Sequence, residues 1–359
     1  MSRNKIRLIS GILAVFPLLV LFSSCAPKND LDDRINQATD SFRFSLLSWE
    51  AKTLAGDVGK LFSPNRASDN TTALEKRVKK QVREVLSEQG IYNPADRFFK
   101  LKVGFPPVTL YLGNPLHLLV VSPRDRIESI GEVTLIPEMN EKDMEGIEAK
   151  IESLGYSALV VELGGMATFP SYVSNDTDMK FIIESTAHEW AHQYLAFTPL
   201  GFLYVLDETG LRQNYDVATI NETVADIIGR EIGDMVYQKY YAPPPASSPA
   251  QPAAPGFDFN GAMREIRKTV DAYLARGEIV AAENYMNERQ QYLADNGYYI
   301  RKLNQAYFAF YGTYADSPTS ISPIGQELKT LRSQSASLKD FLDRVTSITS
   351  RAELDATVR

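Results

Sequence analysis

Three residues in one run carry the chemistry this sequence is best equipped for: Ser185-Thr186-Ala187-His188-Glu189-Trp190-Ala191-His192-Gln193. His188 and His192 are two of the three histidines in the chain. On a helix, positions i and i+4 share a face, so both imidazoles can offer a nitrogen to one tetrahedral Zn²⁺. Glu189 is turned by about 100° from His188. It misses the ligand set but can reach a water held by the metal. Two neutral nitrogen ligands, an open position for water and a carboxylate to take its proton are the parts of a hydrolytic zinc site. The competing explanation is a chance match, which so few histidines make rare.

The flanks predict the helix that the spacing needs. Asn175, Asp176, Thr177 and Asp178 supply an N-cap and negative charge at its start. Phe181, Ile182, Ile183, Ala187, Trp190, Ala191 and Leu195 are apolar on nearly all sides, as in a buried helix, and Pro199 and Gly201 end it. A catalytic zinc site takes a third protein ligand. Gly-x-x-His directly after the motif is excluded, because Leu195 and Thr198 stand at those positions. The alternative is a carboxylate on a second helix. Asn221-Glu222-Thr223-Val224-Ala225-Asp226 lies in a helical apolar period set by Ile220, Val224, Ile227, Ile228, Ile232 and Val236. Glu222 and Asp226 share a face, so Glu222 can complete the site while Asp226 accepts the spare N–H of His188. Gly229 and Gly233 continue along that face, at a helix cost of up to about 1 kcal/mol each. Asp207 and Glu208, in the segment from Thr198 to Thr219 expected to form a loop, are the rival third ligands.

His-Glu-x-x-His followed by Asn-Glu-x-x-x-Asp resembles the gluzincin metallopeptidases, the thermolysin-like zinc peptidases. The resemblance covers two helices, roughly residues 178–240, and departs in one respect: the gap between His192 and Glu222 is longer than usual. It implies His188, His192 and Glu222 as ligands, Glu189 as general base and Asp226 as the group orienting His188. It also implies an α+β catalytic domain, with a small sheet packed on the zinc helices and helical N- and C-terminal regions.

The start of the chain reads as an export signal. Arg3, Lys5 and Arg7 precede an apolar run from Ile9 to Phe22, too short for an ordinary membrane span. Leu21-Phe22-Ser23-Ser24-Cys25 resembles a bacterial lipobox, and Cys25 is the only cysteine. The expectation is a lipoprotein held by Cys25 on the extracytoplasmic face of a bacterial membrane, with an uncleaved signal anchor as the alternative. One cysteine excludes an internal disulfide and a thiolate metal site. The formal net charge of −7 and the absence of a Lys/Arg cluster exclude nucleic-acid binding by electrostatics.

Five stretches follow: a signal peptide at 1–24, a helical region at 25–97, the metallopeptidase core at 98–241, a Pro/Ala/Ser linker or loop at 242–256, and a helical C-terminal subdomain at 257–359. Leu31, Ile35, Ala38, Phe42, Trp49 and Leu54 form one helical stripe, and Thr72 to Gly90 a second helix. The two either lift the enzyme from the membrane or simply pack on it. In the core, Val103, Val108–Tyr111, Leu116–Val121, Glu132–Ile136 and Ser157–Leu163 read as strands, and Met144 to Leu154 as a helix. His117 reads as a core histidine, and the charges of Arg124-Asp125-Arg126 as structural pairs. Gly164 and Gly165, after the last strand, would let an extended substrate approach an edge strand; an ordinary turn is the alternative. Glu162 would hold a substrate amino group in an aminopeptidase, although the usual glutamate after the glycines is missing.

No histidine follows His192, so the donor to the developing oxyanion falls to tyrosine or arginine. The tyrosine-rich run from Asn296 to Gly312 nominates Tyr299 and Arg301, then Tyr307, against the alternative of a helix burying its aromatics. The reading is a zinc peptidase acting on peptide or protein outside the cytoplasm, endo- or aminopeptidase action left open. Its rivals are a catalytically silent zinc scaffold and a metal-free binding module of the envelope.

Overall fold

The computed structural model describes residues 30–46, 48–49, 52, 73–96, 102–208, 214–241, 257–315 and 317–358. The export signal, Cys25 and the Pro-rich segment 242–256 lie outside the described residues. The fold is mixed α+β. In chain order the named elements are α1 (Asp30–Thr39), α2 (Ala73–Glu88), β1 (Tyr111–Gly113), β2 (His117–Pro123), β3 (Gly131–Leu135), α3 (Glu141–Glu152), β4 (Tyr156–Glu162), β5 (Gly165–Met166), β6 (Tyr172–Ser174), α4 (Met179–Leu195), α5 (Pro199–Glu208), α6 (Tyr215–Tyr240), α7 (Phe259–Ala275), α8 (Ile279–Asp295), α9 (Gln305–Tyr311), α10 (Ile324–Ser333), α11 (Leu338–Val345) and α12 (Arg351–Val358). No helix among the described residues is long and apolar enough to cross a membrane.

Two three-stranded sheets carry the core stretch. In the first, β2 lies between β3 and β4, antiparallel to both. Both faces of β2 and β4 are covered, which explains their unbroken apolar runs. Leu119, Val121, Ala158 and Val160 face Ile147 and Ile151 of α3 and Ile35 of α1. Leu118, Val120, Leu159 and Val161 face Ala306 and Ala309 of α9. In the second sheet β6 pairs in parallel with β1 and antiparallel with β5, so β5 is an edge. Four residues after β1 enter β2 and three after β4 enter β5, so the chain passes twice between the sheets.

The N-terminal stripe is not one helix. It stops at Thr39, turns through a 3₁₀ segment at Asp40–Phe42, and then extends along the outer edge of β3. Phe44 N donates to Thr134 O at 3.0 Å, and Ile136 N donates to Phe42 O at 2.8 Å. Satisfying the open edge of β3 outweighs the helical period. The segment between the motif helices is a second correction. It forms α5 rather than a loop: Pro199, which ends α4, also starts α5, where its missing N–H costs nothing.

α4 and α6 pack against each other at the centre of the largest core, together with Val78, Val82 and Val85 of α2 and Leu328, Phe341 and Leu354 of the C-terminal helices. The predicted glycines are what let them meet. A Cβ on Gly229 would lie 3.0 Å from both Glu184 O and His188 Cβ, and one on Gly233 would lie 2.4 Å from Glu184 Cγ. Two further bonds pin loops to α4. Trp190 Nε1 donates to Pro106 O at 2.9 Å, and Gln193 Nε2 donates to Ser171 Oγ at 3.0 Å.

Glu148 of α3 is the best-buried carboxylate of the first sheet's surroundings, 1% exposed. It accepts from Val160 N at 2.7 Å, from Arg301 and from Lys302 at 3.1 Å. A buried carboxylate satisfied this fully is costly to break. Glu148→Ala leaves Arg301 with Val160 O and Lys302 with Glu152, but removes the buried carboxylate both share and the acceptor of Val160 N. We expect a loss of about 3–5 kcal/mol, read as a lowered urea midpoint; a wild-type midpoint would show that the cluster contributes nothing.

Candidate metal centre

Each side chain of the motif is positioned by local signals already present in the sequence. Asp178 caps α4, its Oδ1 accepting from Phe181 N at 2.9 Å. Asn214 caps α6 and accepts from Val217 N at 3.2 Å. The i, i+4 spacing then brings His188 Nε2 and His192 Nε2 to 3.0 Å from each other. Donor atoms of His188, Glu189 and His192 all lie within 4.8 Å of one another. Glu222 closes the group from α6: Oε2 is 3.7 Å from His188 Nε2, and Oε1 is 3.5 Å from His192 Nε2. Ligands at about 2.0–2.2 Å from a tetrahedral ion stand about 3.3–3.6 Å apart, and the observed separations straddle that edge.

The outer contacts fix which nitrogen faces inward. His188 Nδ1 lies 3.1 Å from Asp226 Oδ1, and His192 Nδ1 lies 2.8 Å from Asn221 Oδ1. Both Nδ1–H groups are committed to these oxygens, so both Nε2 atoms present lone pairs to the same point. Two lone pairs 3.0 Å apart repel unless a cation or a proton lies between them. The donor set therefore fits a metal ion. Asp226 also meets Arg230 at 3.3 Å, which sets a positive charge on the far side of its carboxylate from His188.

The electrostatics follow from burial and from these partners. Burial alone would lower the His188 pKa, but hydrogen bonds to Asp226 and Glu222 and the nearby Glu189 charge hold it well above the usual imidazole value. Burial would raise Glu222, yet the two imidazoles hold its carboxyl well below the usual range. For Glu189 burial wins over the attraction of His188 and His192, and its pKa is raised.

A protonated His188 has no lone pair to give, so proton and metal compete for one atom. Because the metal-free His188 binds its proton more tightly than a free imidazole of about 6.5, metal affinity should fall with decreasing pH from a point above 6.5. A chelator-competition titration across pH reads this. An affinity flat down to pH 6 would contradict it.

Of the residues nominated from sequence, the structure brings together His188, Glu189, His192, Glu222 and Asp226. Gly165 sits directly over Glu189: a Cβ there would lie 2.4 Å from Glu189 Oε1. Gly164 meets α4 in the same way, its missing Cβ leaving room for the Phe181 ring at 2.6 Å. The two glycines thus admit helix side chains beneath the edge strand. Glu162 is exposed, with Oε1 at 3.8 Å from the buried His117. Asp207 is occupied elsewhere, accepting from Asn214 N at 2.6 Å. The Glu208 side chain lies outside the described residues.

Tyr299 and Arg301 are not part of this group. Tyr299 is 81% exposed. Arg301 is committed to Glu148 and to Val160 O at 2.9 Å. Tyr307 packs on Tyr311 at 4.5 Å between ring centres. The tyrosine-rich run itself ends at Gly312. Tyr314, just beyond it, is the one the fold brings near: burial pushes its phenol pKa well up, and the charges of Glu222, Asp226, Glu189 and Glu132 push it further. Ala315 N anchors that segment to α6, donating at 3.2 Å to Oγ1 of Thr223, the neighbour of Glu222.

Two more residues of the group carried no sequence nomination. Asn221 stands immediately before Glu222, and its position in the motif was the available signal. Tyr204 of α5 donates its hydroxyl to Glu222 Oε1 at 2.5 Å and stacks on His192, with ring centres 5.4 Å apart and planes inclined by 18°. Comparison with known proteins adds no assignment: no protein-family model, curated protein or solved structure matches this chain.

Proposed function

We propose that this chain is a zinc-dependent peptidase of gluzincin type, held at the outer face of a bacterial membrane through Cys25. The observation that carries the reading is the convergence of two inward-facing imidazole lone pairs, the Glu222 carboxylate and the Glu189 carboxylate on one point. A purely structural site has no use for that fourth group. When bound, zinc supplies Lewis acidity, polarising a carbonyl and acidifying a water. Asp226 and Asn221 keep the imidazoles in the tautomer that presents Nε2. Glu189 accepts the proton of the attacking water and passes it to the leaving amine nitrogen. Burial raises its pKa above the usual carboxylate value, which makes it a stronger base. Tyr314, whose phenol pKa is pushed up first by burial and then by the surrounding carboxylates, is the donor we assign to the oxyanion, in place of Tyr299 and Arg301. Among the described residues no strand pairs with the outer side of β5, which lies beside Glu189 and suits an extended substrate backbone.

The test is hydrolysis of a quenched-fluorescent peptide library by the purified full chain. Cleavage that a chelator abolishes and zinc restores is expected. Cleavage indifferent to chelation, or none with zinc bound, would overturn the proposal.

A further inference from the structure

Resting on the metal-site reading above, we propose that Tyr204 is a positioning residue for the third ligand: it engages Glu222 Oε1 and leaves Oε2 as the single metal donor. The argument begins with how firmly Tyr204 itself is held. At its first turn α5 approaches α4 so closely that a Cβ on Gly201 would lie 2.1 Å from the carbonyl of Leu195. Leu200 N donates to Thr346 O at 3.2 Å, joining the same turn to the segment after α11. At the last turn Asp207 accepts from Asn214 N, the cap of α6. The helix between the two motif helices is thus fixed at both ends, and Tyr204 sits between the fixed points.

Two of its contacts divide the work. The hydroxyl meets Glu222 Oε1 at 2.5 Å, the length of a charge-assisted O–H···O⁻ bond. The ring lies nearly parallel to His192, whose other edge Asn221 holds. A carboxylate with both oxygens free can rotate or chelate; with one committed, it presents the other in a fixed direction. Ordering Glu222 before the metal arrives lowers the entropy lost on binding. It also keeps a coordination position from being taken by the second oxygen, which a site that must admit substrate requires. This role lies in α5, where the spacing departs from the family the motif resembles.

The experiment compares full-length wild type, Tyr204→Phe and Tyr204→Leu. Each is stripped of metal and titrated with zinc against a chromophoric chelator; the zinc-induced rise in Tm and the kcat and KM on a cleaved peptide are then measured. Tyr204→Phe should bind zinc about 10–100-fold more weakly, show a smaller zinc-induced rise in Tm, and keep its KM. Tyr204→Leu, which also loses the stacked ring, should be weaker still. Wild-type zinc affinity in Tyr204→Phe overturns the proposal: with a lowered kcat it makes the hydroxyl a group touching the reacting atoms, and with a lowered metal-free Tm a packing group. If wild type itself takes up no zinc, the metal-site reading has failed and takes this one with it, an outcome visible before any variant is examined.

Discussion

Glu189→Gln is expected to keep its metal and lose catalysis, with kcat lower by about 10²–10⁴-fold. The substitution preserves shape and hydrogen-bonding capacity but cannot take up a proton. Glu189 is 7% exposed and belongs to the group converging on His188 and His192 without being either imidazole's Nδ1 partner. Metal affinity should therefore change little while turnover collapses. Gly165→Val offers the same result from the opposite side. Its Cβ would occupy the space of the Glu189 carboxylate, 2.4 Å from the Oε1 position, and displace the base. Zinc content and kcat on one fluorogenic peptide decide the matter. A fully active Glu189→Gln would remove Glu189 from the mechanism.

Glu222→Ala should have the largest effect on metal binding. It removes the carboxylate of the proposed ligand set and leaves two neutral nitrogens whose lone pairs face each other at 3.0 Å. It also deprives Tyr204 of its acceptor. We expect zinc affinity to fall by more than about 100-fold, beyond the about 10–100-fold that losing an outer partner costs. Asp226→Ala, which frees His188 Nδ1 but keeps all three ligands, should fall within that smaller range. The order of the two variants is the informative result. If Glu222→Ala keeps zinc while Asp207→Ala loses it, the third ligand has been misassigned and α5 supplies it.

The sequence disclosed the candidate metal group because its rules are local. His188 and His192 share a face at i, i+4, as do Glu222 and Asp226, and Gly229 and Gly233 mark where two helices must touch; each is readable from neighbours in the chain. The strands of the first sheet were legible too, because burial on both faces leaves unbroken apolar runs in β2 and β4. What stayed hidden depends on partners far along the chain. Arg301 looked free for catalysis because Glu148, its buried partner, lies on α3. The helix through Phe42 broke because β3 offered an edge to cover. Tyr204 was passed over because Pro199 and Gly201 read as stops. In the fold Pro199 begins a new helix and Gly201 allows it to pack against the end of α4. The segment of Tyr314 is tethered to α6 by a bond from Ala315 to Thr223 that no local pattern announces.

The most direct test of the central claim is the zinc content of the purified full chain, by mass spectrometry after dialysis, before and after zinc is resupplied. The account predicts about one zinc per chain, lost on chelation and regained on resupply. No zinc in either sample would contradict it: His188, His192 and Glu222 would then be a buried polar cluster held together by a shared proton, and the peptidase reading would fall with the metal.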